Sequence, residues 1–207
     1  PYDLAIVEGS VTTAHDAARI SELRDQATVL VSIGACATAG GIQALRNAAD
    51  VSEYAAAVYA HPEFIKTLAT STPVSSLVHV DVELRGCPVD KGQLLHVISS
   101  YLLGRPPRLD SSPVCVECKR AGRTCVLVAH GTPCLGPVTH GGCAALCPSF
   151  DRGCFGCFGP ADTVNVDALV ARLRRTTSAR DVTRMLHTFT TEAPGFRGAT
   201  AEEEATT

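Results

Sequence analysis

Thr28-Val29-Leu30-Val31-Ser32-Ile33-Gly34-Ala35-Cys36 is a nearly continuous apolar run closed by a glycine and a cysteine. A strand with one wet face alternates apolar and polar residues, whereas such a run marks a strand buried on both faces of a parallel sheet. Upstream, Asp3-Leu4-Ala5-Ile6-Val7 is a shorter strand candidate. Between the two, Thr13-Ala14-His15-Asp16 resembles a capping box, and Ala17, Ile20 and Leu23 follow at helical spacing. Downstream, Leu77 to Leu84 is a third strand candidate. The Ala-rich stretch Thr38 to Ala57 and the Pro-containing connection from His61 to Pro73 predict a mixture of helix and loop. Strands alternating with helices give an α/β fold on a parallel sheet.

Beyond Pro88, Asp90 is placed to cap a helix whose Leu94, Leu95, Ile98, Tyr101 and Leu102 form one apolar face, stopping at Gly104. Pro106-Pro107 then marks a boundary, dividing the chain into an α/β domain (1–106), a cysteine-rich domain (107–160) and a C-terminal extension (161–207). The cysteine-rich part has little periodicity and predicts loops and short helices built around a metal. Asp167 to Leu173 and Arg180 to Phe189 read as short amphipathic helices, and Pro194 through Glu202-Glu203-Glu204 as a solvated tail. A chain of 207 residues buries a proper core. Its net charge of −3 carries no footprint for nucleic acid. No run approaches the ~18 apolar residues of a membrane span, and Pro1 opens straight into a strand candidate, so the sequence reads as soluble and cytoplasmic.

Eight of the ten cysteines fall in one short segment, as Cys115, Cys118, Cys125, Cys134, Cys143, Cys147, Cys154 and Cys157. In a reducing compartment such density favours metal binding over a disulfide framework. The pairs Cys115/Cys118 and Cys154/Cys157 each offer two thiolates from one tight turn, and each needs two more ligands. Cys125 and Cys134 are available to complete one set, and Cys143 and Cys147 the other. Four thiolates suit zinc as well as an iron–sulfur cluster, so spacing favours iron–sulfur without deciding the matter. Cys36 and Cys87 each follow a predicted strand, where open α/β sheets place ligands, against the alternative of a small buried hydrophobe. Glu8 ends the first strand near the same sheet edge. The glycines around Cys36 match no phosphate-binding loop. His79, His96, His130 and His140 read as packing and hydrogen-bonding residues, and Asp81, Glu83 and Asp90 as solvated or capping. No local signature of Ser-His or Cys-His catalysis is present.

Val7-Glu8-Gly9-Ser10, Gly34-Ala35-Cys36, Gly86-Cys87-Pro88, Pro133-Cys134-Leu135-Gly136-Pro137-Val138-Thr139 and Gly153-Cys154-Phe155-Gly156-Cys157 together resemble the small, electron-transferring subunit of nickel–iron hydrogenases. That family shares its fold with a subunit of respiratory NADH:quinone oxidoreductase. The motifs cover most of residues 4–160, and the most similar branch is the cytoplasmic, NAD(P)-linked sulfhydrogenase delta subunit. The resemblance implies a flavodoxin-like parallel sheet followed by a loop-rich iron–sulfur domain, with no catalytic residue in this chain. Hydrogen would be activated at the nickel–iron centre of a partner large subunit. Electrons would pass to partner subunits that carry flavin (FAD) and iron–sulfur clusters and react with NAD(P).

Residue by residue, the resemblance implies that Cys36 and Cys87 are two ligands of a proximal 4Fe–4S cluster. Cys115, Cys118, Cys125 and Cys134 correspond to the distal 4Fe–4S cluster, with Cys115 standing where many membrane-bound relatives have histidine. Cys143, Cys147, Cys154 and Cys157 correspond to the medial cluster, where Cys147 adds the fourth thiolate of a 4Fe–4S centre. The family draws two further proximal ligands from a Cys-x-x-Cys after an N-terminal strand. No such segment precedes Pro1, so the sheet is expected to be truncated and the proximal set incomplete in this chain. The alternative is a two-zinc structural or interaction module without redox activity.

Overall fold

The computed structural model describes residues 1–197. At its centre is an all-parallel sheet of three strands in the order β1 (Tyr2–Glu8), β2 (Ala27–Ile33) and β3 (Val82–Leu84). Leu30, Val31 and Ser32 at the middle of β2 are fully buried, which is why that strand reads as an unbroken apolar run. Helix α1 (Ala14–Gln26) is capped as the sequence indicates. The Thr13 hydroxyl oxygen accepts the Asp16 N–H at 3.0 Å and donates to the Asp16 carboxylate at 2.7 Å. Ile20 carries α1 onto one side of the sheet against Ala5, Val11, Leu30 and Val74.

Helix α2 (Gly34–Ala39) begins directly after β2 and leads through a 3-10 stretch, Ile42–Ala48, into α3 (Val51–Val58). The third strand is shorter than expected, covering Val82–Leu84 instead of 77–84. Val74–Ser76 form a 3-10 turn, and the Val78 N–H bonds the Val74 carbonyl at 3.2 Å. Asp81 then caps the strand. Its N–H donates to the Leu30 carbonyl at 2.9 Å, and its carboxylate accepts the Leu30 N–H at 2.7 Å, which occupies the groups a longer ladder would need.

Helix α4 (Lys91–Leu102) is capped by Asp90, which accepts the Gln93 N–H at 2.8 Å. It packs Leu94, Val97 and Tyr101 on the opposite side of the sheet, against Val31 and Leu84. The buried stripe is therefore centred on Val97. Leu95 and Leu102, expected on the apolar face, are 57% and 82% exposed.

The cysteine-rich part contains α5 (Val114–Arg120), α6 (Val126–Ala129) and α7 (Leu146–Ser149) between loops. Helices α8 (Val166–Leu173), α9 (Ala179–His187) and α10 (Pro194–Arg197) follow. Leu169, Val170, Leu173, Val182 and Leu186 close over Leu135, Val138 and Phe196 in a second core. Phe196 is fully buried, so Pro194–Arg197 is a docked helix and not the start of a solvated tail. Its ring supplies enough apolar area to anchor the turn. Glu202-Glu203-Glu204 lie outside the described residues.

The two cores are stitched together. Arg85 Nη1 donates to the Pro160 carbonyl at 2.6 Å, the Glu192 N–H to the Ala39 carbonyl at 3.2 Å, and Asn47 Nδ2 to Glu192 Oε1 at 2.9 Å. Among the described residues, no helix is long and apolar enough to cross a membrane.

Candidate metal centre

Parallel strands bring their C-terminal ends to one sheet edge, and here that edge gathers Glu8, Cys36 and Cys87. Cys36 sits in the first turn of α2, and its thiol donates to Gln43 Oε1 at 3.0 Å. The Ala35 N–H bonds the Gly86 carbonyl at 2.9 Å, tying the two strand-end loops together. Gly41 has φ +62°, and a Cβ there would strike the Cys36 sulfur, so only glycine lets the chain turn this close to the thiol. Burial raises the Cys36 thiol above its ordinary pKa, and the neighbouring Cys87 and Glu8 push in the same direction.

A second group forms around α5. Val114 is fully buried, and its N–H bonds the Thr139 carbonyl at 2.8 Å, which fixes the helix start. Cys115 and Cys118, one turn apart, then face Cys125 and Cys134. With Val126, Leu127, Pro137 and Pro148 these four thiols line a cavity of about 80 Å³. Burial, reinforced by Cys134, Cys118 and Cys125, pushes the Cys115 thiol up to about 11. Cys118 is raised for the same reasons. The thiols ring a void and do not meet at a point. Among the described residues, no three His, Cys, Asp or Glu side chains are gathered tightly enough to clasp a single ion.

Cys143, Cys147 and Cys157 make a third group, and Cys157 also neighbours Cys87 at the sheet edge. Burial pushes the Cys157 thiol up to about 11. Cys154 is the most deeply buried of the cysteines, 5% exposed, and burial drives its thiol far above the usual range. Spacing groups Cys154 with Cys143, Cys147 and Cys157, and the structure sets it beside both Cys157 and Cys134. The cause is a close backbone approach. The Cys154 N–H donates to Cys134 Sγ at 3.2 Å, and the Leu135 N–H to the Cys154 carbonyl at 3.0 Å. A Cβ on Gly153 would overlap the Pro133 carbonyl oxygen, so glycine is required for the approach.

Sequence reasoning missed Glu117, whose carboxylate accepts the N–H groups of Gly142 at 2.8 Å and Ala145 at 3.0 Å. Its signal was an acid lying inside the Cys115/Cys118 pair. The histidines stand in other settings. His79 is exposed beside Asp81, His96 Nε2 accepts the Arg108 N–H at 3.3 Å, and His140 Nδ1 donates to the Gly141 carbonyl at 2.6 Å. Asp81 pairs with Arg24 at 2.6 Å and Glu83 with Arg85 at 3.3 Å, which gives both carboxylates structural partners.

Comparison with known proteins points the same way. The family model described as NADH ubiquinone oxidoreductase, 20 Kd subunit, matches residues 1–101. The sulfhydrogenase 2 subunit delta of Pyrococcus furiosus is 36% identical over 187 residues, covering 90% of this chain and 78% of that protein. The NAD-reducing hydrogenase HoxS subunit delta of Cupriavidus necator is 27% identical over 124 residues, covering 53% of this chain and 59% of its own length. Among solved structures, the actinobacterial-type NiFe-hydrogenase of Ralstonia eutropha H16 matches with a TM-score of 0.51 at 18% identity, covering 89% of this chain and 68% of that one, a likeness of fold. The sheet-edge cysteines, the thiol-rich loops behind them and this similarity place the chain in the family of nickel–iron hydrogenase small (delta) subunits.

Proposed function

We propose that this chain carries electrons between a nickel–iron site in a partner large subunit and a flavin- and iron–sulfur-containing module that reacts with NAD(P). The observation that carries the reading is the ring of Cys115, Cys118, Cys125 and Cys134 around a small cavity walled by apolar residues. An all-thiol donor set around a void suits a cluster with its own inorganic core. Burial raises the thiols of Cys115 and Cys118, so a bound cationic core would supply the charge that turns these two into thiolates. In this reading Cys115, Cys118, Cys125 and Cys134 hold the distal 4Fe–4S cluster, and Cys143, Cys147, Cys154 and Cys157 the medial one. Cys36 and Cys87 contribute two ligands to a proximal cluster. Such clusters, when bound, exchange single electrons.

The chain's own residues position and shield these sites. From the sheet edge, Cys87 adjoins Cys157, Cys157 adjoins Cys154, and Cys154 adjoins Cys134. The thiol groups thus follow one another from the sheet edge into the cysteine-rich loops. Leu135, Val114 and Val126 keep water from the interior side. Similarity to a sulfhydrogenase and to an NAD-reducing hydrogenase supports the large-subunit and NAD(P)-reactive partners. A cytoplasmic location, and a division of labour between residues 1–106 and 107–160, belong to the same proposal.

The test is anaerobic purification with the partner chains. Iron and acid-labile sulfide in equal amounts are expected, and stoichiometric zinc would establish the two-zinc module instead. Cys134→Ser and Cys157→Ser are each expected to leave the α/β part folded by circular dichroism while impairing H2-linked NAD(P) reduction. Full activity in both variants would overturn the electron-transfer role.

A further inference from the structure

Glu117 belongs to one thiol group by position and to the other by its bonds. It sits in α5 between Cys115 and Cys118, yet both carboxylate oxygens reach the loop of Cys143 and Cys147. Oε1 accepts the Gly142 N–H at 2.8 Å, and Oε2 accepts the Ala145 N–H at 3.0 Å. Oε2 also lies 4.0 Å from Cys143 Sγ. The residue is half-buried, and among the described residues no Lys, Arg or His forms a salt bridge with it. Directly before Cys118 in α5, and with its carboxylate against the Cys143 loop, it brings one charge to both groups.

We propose that Glu117 tunes the reduction potentials of both centres at once, while fixing the loop that holds the second. A cluster's potential falls when negative charge stands close to it, because an added electron is repelled. A carboxylate shared between the groups lowers both potentials together and keeps them matched, which favours transfer in either direction. A loop clamp alone would need only the two hydrogen bonds. The shared charge is what distinguishes the present role. The proposal rests on the reading that the two thiol groups bind iron–sulfur clusters.

The experiment is a redox titration of the anaerobically purified complex followed by electron paramagnetic resonance, on wild type, Glu117→Gln and Glu117→Asp. The wild-type iron content and cluster signals test whether clusters are present at all, separately from Glu117. Glu117→Gln keeps an oxygen acceptor but removes the charge, and both midpoint potentials are expected to rise. Glu117→Asp keeps the charge but withdraws it by one methylene, and a smaller rise of the same sign is expected. Unchanged potentials in a fully loaded Gln variant overturn the proposal, as does a shift confined to one cluster. If the Gln variant loads no iron, unchanged potentials in the Asp variant overturn it. Failure of both variants to load iron reduces Glu117 to a loop clamp and overturns it as well.

Discussion

The Asp81 carboxylate accepts the Leu30 N–H at 2.7 Å and the Arg24 guanidinium at 2.6 Å, joining the start of β3 to β2 and α1. Partial burial works to raise its pKa. The Leu30 N–H, the hydrogen bond from Arg24 and the charges of Arg24 and His79 outweigh it and hold the carboxyl below its ordinary value. A carboxyl lowered in the folded state stabilises the fold above the unfolded-state pKa, near ~3.9, and that contribution is lost as pH falls through the lowered folded value. Asp81→Asn is therefore expected to cost about 1–2 kcal/mol at neutral pH, and the difference from wild type should shrink on acidification. Urea midpoints of the two proteins between neutral pH and strong acid check this. A constant difference across the range would mean that the charge of Asp81 does not matter.

At the level of elements, α4 is held to the sheet by the stripe through Val97. Val97→Ala is expected to cost about 2 kcal/mol, and Leu102→Ala less than about 0.5 kcal/mol, measured by chemical denaturation. The helix itself was legible in the sequence, because its Asp90 cap and Gly104 stop are local features. Which of two adjacent stripes faces inward was not, since that depends on what the helix meets. The boundaries of β2 and α1 were likewise legible from a local apolar run and a local cap. The start of β3 was not, because it depends on a contact between Asp81 and Leu30 across 51 residues. The candidate site divides in the same manner. Cys115, Cys118, Cys125 and Cys134, grouped by spacing, lie within twenty residues of one another and line one cavity. Cys154 and Glu117 owe their positions to the folding of residues 153–157 against 133–136 and of 142–145 against α5, which no window of sequence contains.

Across the whole molecule, the C-terminal helices are the floor beneath the thiol loops. Leu135, next to Cys134, shares a core with Leu173, Leu186 and Phe196. Phe196→Ala is expected to cost about 3–5 kcal/mol and to lower the metal retained per chain, since the loop carrying Cys134 loses its support. Thermal denaturation and iron analysis on the same preparation read the two effects together, and a destabilised variant with full iron content would separate the floor from the site. The exposed connection near Pro106 invites a picture of two bodies on a hinge, but the bonds from Arg85 to the Pro160 carbonyl and from the Glu192 N–H to the Ala39 carbonyl lie elsewhere. The parts are therefore held as a book is held by its clasp as well as by its spine: beside the covalent link, a second fastening lies along the seam where the sheet edge meets the C-terminal half of the chain.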